Sequence, residues 1–260
     1  MKILILPDRD AAVASCVALI ADALTDKPDA VLGLATGGTM EPVYAGLLDR
    51  TRAGQVSLDR MTSFNLDEYV GLSPEHPQSY HAFMQERLFA PLKLEPARTH
   101  LPRGDAPDPV AEAARYDAAI THAGGIDLQL LGIGRNGHIG FNEPSSSLAS
   151  PTRVKTLTRA TREANARFFG PDEAVPRFAI TMGIATILRS RHAVLLATGA
   201  AKAEAVAAMA EGPLSARCPA SALQMHPKVT VVLDTEAAAG LELRQYYETV
   251  HPQGQEVTLV

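Results

Sequence analysis

The sequence predicts an α/β protein built on a mostly parallel central sheet. Three observations point there. Short apolar runs of strand length recur at 2–6, 30–35, 61–66, 126–132, 192–198 and 228–233. Longer stretches with helical patterning separate them, at 9–25, 39–53, 78–90, 108–123, 181–190 and 200–211. Strands that alternate with helices pair in parallel, because a right-handed crossover returns the chain to the same end of the sheet.

The elements follow in order. The first strand, KILIL, begins at Lys2, with no signal peptide before it, which gives the expectation of a cytoplasmic protein. The second ends at Ala35, and the small residues Thr36, Gly37, Gly38 and Thr39 lead into a helix near Met40. The third runs into FNLDEYV at 64–70. A Pro- and Asp-rich loop at 102–109 makes a surface connection. The run IDLQLL at 126–131 reads as a buried strand and opens into GIGRNGHIGFNEP at 132–144. Residues 145–177 then interrupt the alternation, with an extra strand expected at 152–158 and a short helix at 161–169. This insertion, about 157–177 in its outer part, is the expected cover over a site. The expectation is one domain over 1–260.

Composition narrows the function. The apolar share of 46% over 260 residues describes a globule with ample core. A net charge of −5 without a long basic block speaks against a nucleic-acid partner. The apolar runs fall short of the ~18 residues a membrane span needs, so no membrane association is expected. Cys16 and Cys218 stand far apart with no metal-ligand neighbourhood and read as buried, reduced thiols.

The loop at 132–144 carries the most chemistry. Four glycines in nine residues let the backbone approach a ligand closely, and into it the sequence sets one imidazole, His138, and one carboxylate, Glu143. Imidazole exchanges protons near neutrality, and a neighbouring carboxylate orients it and raises its basicity. Gly132, Gly134 and Gly137 also spell a dinucleotide fingerprint. That motif must open a helix, which Gly140 and Pro144 oppose, and be followed by an acidic residue where this chain is basic, around Lys155. A His that merely caps a turn is the other competing reading.

Three further segments suit an anion and a base. The 36–39 turn frees backbone N–H groups at a helix N-terminus, although it lacks the tail of a P-loop. Lys202 falls in the first turn of its helix, where the dipole disfavours a cation unless an anion bridges the two. Arg167 lies in a stretch, 153–177, with six basic residues against three acidic ones. Arg, Lys and a glycine turn together suggest a phosphate ester. Asp67, where the third strand ends, suits a general base, although taken alone the Asp67–Glu68 pair reads more readily as a surface turn. Side chains alternate along a strand, so Asp67 and Glu68 do not both reach the crevice unless the strand has ended.

Taken together, these segments resemble the glucosamine-6-phosphate deaminase family. The matching stretches are ATGGT at 35–39, FNLDEYVG at 64–71, EHPQSY at 75–80, the loop at 132–144, SLAS at 147–150, 152–169 and LQMHPK at 223–228. The resemblance implies a Rossmann-like three-layer sandwich and the conversion of glucosamine 6-phosphate and water to fructose 6-phosphate and ammonia. It implies a phosphosugar as the partner and neither a metal nor an organic cofactor. It makes Asp67 the base at C2 and His138 the ring-opening group, with Glu143 in support. It gives the phosphate to Gly37, Gly38 and Thr39, Arg167 and Lys202.

Asn136 departs from the Asp two residues before the His that typical members carry. Asn supplies no charge but orients the ring by hydrogen bonding, which shifts the charge-supporting role onto Glu143. Some members are hexamers activated by N-acetylglucosamine 6-phosphate, and Ser146, Arg153 and Lys155 stand at positions matching their effector site. The resemblance therefore leaves room for a homo-oligomer with a second phosphate site. The rivals are a 6-phosphogluconolactonase, which shares the fold, and a non-catalytic phosphosugar sensor. The DEYV and FNEP segments favour the deaminase over the former, and the intact Asp67, His138 and Glu143 set opposes the latter.

Overall fold

In the computed structural model, which describes residues 1–166, 169–170 and 173–255, seven strands form one parallel sheet. In chain order the elements are β1 (Lys2–Leu6), α1 (Arg9–Asp26), β2 (Val31–Leu34), α2 (Glu41–Arg52), β3 (Thr62–Asn65), β4 (Asp67–Tyr69), α3 (Tyr80–Met84) and α4 (Ala90–Leu92). They continue with β5 (Thr99–His100), α5 (Pro109–His122), β6 (Leu128–Leu131), β7 (Arg153–Thr156), α6 (Arg159–Asn165), β8 (Phe178–Thr181) and α7 (Ile184–Leu188). The last are β9 (His192–Ala197), α8 (Ala203–Ala210), β10 (Val229–Asp234) and α9 (Arg244–Val250).

The main sheet runs β1-β10-β9-β6-β2-β3-β5, and every pairing in it is parallel. Its central strands β2, β6, β9 and β10 are apolar along nearly their whole length because helices cover both faces. α1 shows how a helix is fixed to it. Asp8 accepts the amide of Ala11 at 2.8 Å as N-cap, and Cys16, Val17, Ile20 and Leu24 form the buried stripe that packs on β9 and β10. Cys16 and Cys218 are both free and buried.

A second, three-stranded sheet, β4-β8-β7, is antiparallel. It holds β7, the extra strand expected at 152–158. It corrects the sequence reading in two places. The helix expected at 181–190 begins only at Ile184, since 178–181 form β8 and Gly183 makes the bend. Gly183 is extended, at φ −76° and ψ 168°, as the N-cap, and a Cβ there would lie 2.1 Å from the carbonyl oxygens of Ser150 and Pro151, so only glycine fits. FNLDEYV is also not one strand. Leu66 passes the chain from β3 to β4, and Asp67 thereby leaves the main sheet.

Strand order sets the place of the site. From β2 the chain goes outward to β3 on one side, whereas β6, next to β2 on the other side, leads on towards β9. The crevice beyond the ends of β2 and β6 is the switch point where open α/β sheets bind ligands. The TGGT turn and the GIGRNGHIGFNEP loop leave these two strands, so the fold brings them together.

Candidate active site

A cleft of about 760 Å³ opens at this switch point. Its walls include Thr36–Thr39 residues, Asp67, His138, Thr161 and Lys202. Among the described residues, no group of three or more His, Cys, Asp or Glu is placed to hold a metal ion.

The β6 loop holds its imidazole against bare backbone. A Cβ on Gly134 would meet the His138 ring at 2.1 Å, so only glycine lets the ring lie there. His138 Nδ1 lies 2.6 Å from Asn136 Oδ1 and 3.5 Å from Glu143 Oε2. Asn136 Nδ2 donates to Glu143 Oε2 at 2.7 Å, and Thr161 Oγ1 donates to Glu143 Oε1. This chain fixes protons by elimination. An ionised carboxylate only accepts, so the Asn136 amide turns its NH₂ to Glu143 and its oxygen to His138. Nδ1 must then carry hydrogen, which leaves Nε2 as the basic nitrogen. Burial pushes the Glu143 carboxyl up, but the neighbouring His138 imidazole and the hydrogen bonds from Thr161 and Asn136 outweigh it and hold it at about 2.

Asp67 stands across the cleft in the opposite environment. It is buried, and Thr181 Oγ1 is 3.5 Å from its Oδ2. Burial first, and the neighbouring Glu68 charge second, push its carboxyl up to about 8. Gly140, at φ 54°, lets the loop pass so closely that a Cβ there would be 3.2 Å from Asp67 Oδ2. Glu68 points the other way, as strand alternation requires. It accepts the amides of Tyr69, Tyr80 and His81, each at 2.9 Å, and so takes the first two amides of α3. Burial still raises its carboxyl to about 7.

The third wall is cationic and rich in free amides. Gly37 has φ 101°, and among the described residues the amides of Gly37, Gly38 and Thr39 have no acceptor. They stand at the N-terminus of the twelve-residue α2. Lys202 sits in a tight turn just before α8, and its Nζ donates to the carbonyl of Ile133 at 2.6 Å. Burial, then the nearby Arg135 guanidinium, lowers its pKa. Arg167 lies outside the described residues, and α6 spans 159–165 where a helix at 161–169 was expected.

Sequence reasoning overlooked three of the lining residues. Arg135 belongs to the glycine loop, and a cation between two glycines was the available signal. Thr161 and Asn165 come from α6, and only tertiary structure shows that they face the cleft. Of the effector trio, Ser146 is buried and Arg153 donates to Asn142 Oδ1 at 2.8 Å. Ser146 Oγ and Arg153 Nη2 are buried without a hydrogen-bond partner among the described residues. Lys155 has its pKa lowered by burial and by Arg153, and the Glu143 charge acts the other way.

Residues 9–232 match the family described as glucosamine-6-phosphate isomerases/6-phosphogluconolactonase. The chain belongs to that family. A curated glucosamine-6-phosphate deaminase of Hahella chejuensis is 58% identical over 236 residues, covering 89% of this chain and 90% of the relative. One of Cellvibrio japonicus is 53% identical over 257 residues, covering 99% and 98%. A solved monomeric glucosamine-6-phosphate deaminase superposes with a TM-score of 0.89 at 47% identity, covering 92% of this chain and all of that one. A 6-phosphogluconolactonase of Trypanosoma brucei, at 20% identity and a TM-score of 0.71 over 92% and 98% of the chains, shares the fold.

Proposed function

We propose that this member of the family is a glucosamine-6-phosphate deaminase, converting glucosamine 6-phosphate and water to fructose 6-phosphate and ammonia. The observation that carries the reading is the pairing, in one cleft, of a His138–Asn136–Glu143 chain with a separate buried carboxylate, Asp67. The two centres suit two different proton transfers. His138 Nε2 takes the proton of the C1 hydroxyl and passes it to the ring oxygen as the C1–O5 bond breaks. The imidazolium that forms in between is supported by Glu143 through Asn136. Asp67 then takes the C2 proton of the open-chain sugar while a proton of the C2 ammonium passes to the C1 oxygen, giving an enolamine, and Asp67 returns its proton at C1, leaving an iminium at C2. Water adds to that carbon and ammonia leaves.

The raised Asp67 pKa is compatible with this order. The substrate carries an ammonium at C2, and a cation beside a buried carboxylate favours its ionised form. Desolvation also strengthens it as a base once ionised. The phosphate is assigned to Thr36, Gly37, Gly38 and Thr39, to Lys202, to Arg167 and to Arg135. Cations and free backbone amides on one wall suit a dianion. The role of cover we assign to 157–177, whose helix among the described residues is α6. A lactonase needs no carbon-acid base, so Asp67 would have no task in one.

Ser146, Arg153 and Lys155 we assign to a second phosphate site of regulatory use. The unpartnered polar atoms of Ser146 and Arg153 support it. A cytoplasmic setting is part of the proposal; no helix among the described residues is long and apolar enough to cross a membrane. The deciding assay offers the chain glucosamine 6-phosphate and 6-phosphogluconolactone side by side. Ammonia release from the first with no accelerated hydrolysis of the second is expected. The reverse pattern would assign the chain to the other branch of the family.

A further inference from the structure

Helix α6 reaches both acid/base centres with side chains one turn apart. Thr161 and Asn165, at i and i+4, share a face. Thr161 donates to Glu143 Oε1, and Asn165 Nδ2 donates to the Tyr69 hydroxyl at 2.8 Å. Tyr69 lies two residues beyond Asp67 on β4, hence on the same side of that strand. The helix thus bridges the strand of the carbon-acid base and the carboxylate behind the imidazole.

The hydroxyl of Thr161 has one proton to give. Thr158 Oγ1 lies 2.9 Å from it and also accepts the Thr161 amide at 3.2 Å. Glu143, being ionised, can only accept, so the Thr161 proton goes to Glu143 and the Thr158 proton to Thr161. All donors in the chain therefore point at one carboxylate: Thr158 through Thr161 on one oxygen, His138 through Asn136 on the other. Glu143 is 3% exposed, so water does not replace a lost donor. Without Thr161 the carboxylate is free to turn, and the Asn136 amide that sets the His138 tautomer turns with it.

We infer that Thr161 is a positioning residue: its hydroxyl fixes Glu143 and, through Asn136, holds His138 with Nδ1 protonated and Nε2 basic. The inference rests on the deaminase reading for its kinetic consequences, not for its structural ones. Thr161→Val removes the hydroxyl at nearly constant shape, and Thr161→Ser keeps it. A lost hydrogen bond to a charged group corresponds to a roughly 10- to 100-fold effect. We expect Thr161→Val to lower kcat for ammonia release by about that factor while KM moves less than about twofold, and Thr161→Ser to restore most of kcat. In a Glu143→Gln background, Thr161→Val should add nothing.

Wild-type kcat in Thr161→Val, no rescue by Ser, a change confined to KM, or full additivity with Glu143→Gln would each overturn the inference. Nitrogen NMR of the His138 ring reads the same point without turnover. Among neutral rings the Nδ1-protonated tautomer should dominate over the Nε2-protonated one in the wild type and lose ground in Thr161→Val, and an unchanged tautomer ratio would overturn the inference. Should the wild type release no ammonia, the deaminase reading falls, and the ring spectra still decide the role of Thr161.

Discussion

Glu143→Gln tests the electrostatics of the imidazole arm through stability. In the folded protein the carboxyl is held at about 2 against an ordinary 4.5, and the residue is 3% exposed. The difference, at about 1.4 kcal/mol per tenfold change in proton affinity, amounts to about 3 kcal/mol in favour of the folded state at pH 7. Its sign follows from linkage. The folded value lies below the unfolded one, so the stabilisation is complete above roughly pH 4.5 and is lost as pH falls through about 2. About half should remain at pH 3. Gln carries no charge to lose, so its deficit relative to wild type should shrink by about 1.5–2 kcal/mol between pH 7 and pH 3. Urea unfolding of both proteins at pH 7, 5, 4 and 3 measures the gap directly. A gap that stays constant over this range would mean that Glu143 contributes by shape alone, and the charge-support argument would fail with it.

Two further substitutions probe the other walls. Lys202→Ala should weaken glucosamine 6-phosphate binding by about 1.5–3 kcal/mol, the range for a hydrogen bond to a charged group, and leave binding of unphosphorylated glucosamine nearly unchanged. Equal losses for both sugars in a calorimetric titration would remove Lys202 from the phosphate site. Gly134→Ala puts a Cβ 2.1 Å from the His138 ring, which must then move. Ordinary contact needs a shift of roughly 1 Å, which costs roughly 10²-fold in rate, so kcat should drop about that far while circular dichroism and the unfolding midpoint stay near wild type.

The buried parallel strands were legible because each is a compact apolar run between clear turns, as in β1, β6, β9 and β10. β5 has two residues and β4 three, too few for any periodicity to show. β8 was hidden because FAIT continues into an apolar stretch that also suits a helix, and the stop comes at Gly183, extended beside Ser150 and Pro151. Of the site, His138, Glu143 and Asp67 could be read because their loops combine glycines with reactive side chains. The alternation rule foresaw that Asp67 and Glu68 diverge, and the structure gives Glu68 its own task, accepting the first two amides of α3. Thr161, Asn165 and Arg135 could not be ranked from the chain alone. Threonine and asparagine on a polar helix are ordinary, and their meaning comes from where α6 docks. Arg167 stays a proposal, since it lies outside the described residues.

The central claim is that Asp67 is the base which takes the C2 proton, in the same cleft where His138 opens the ring. Glucosamine 6-phosphate labelled with deuterium at C2 tests it in one experiment with wild type and Asp67→Asn. The wild type should strip the label from C2 at the rate of ammonia release, sending it to C1 of fructose 6-phosphate or to solvent. Asp67→Asn should still bind the phosphosugar but lose label roughly 10²–10⁴ times more slowly, with ammonia release falling in step. Loss of label at the wild-type rate in Asp67→Asn would place the base elsewhere and contradict the account.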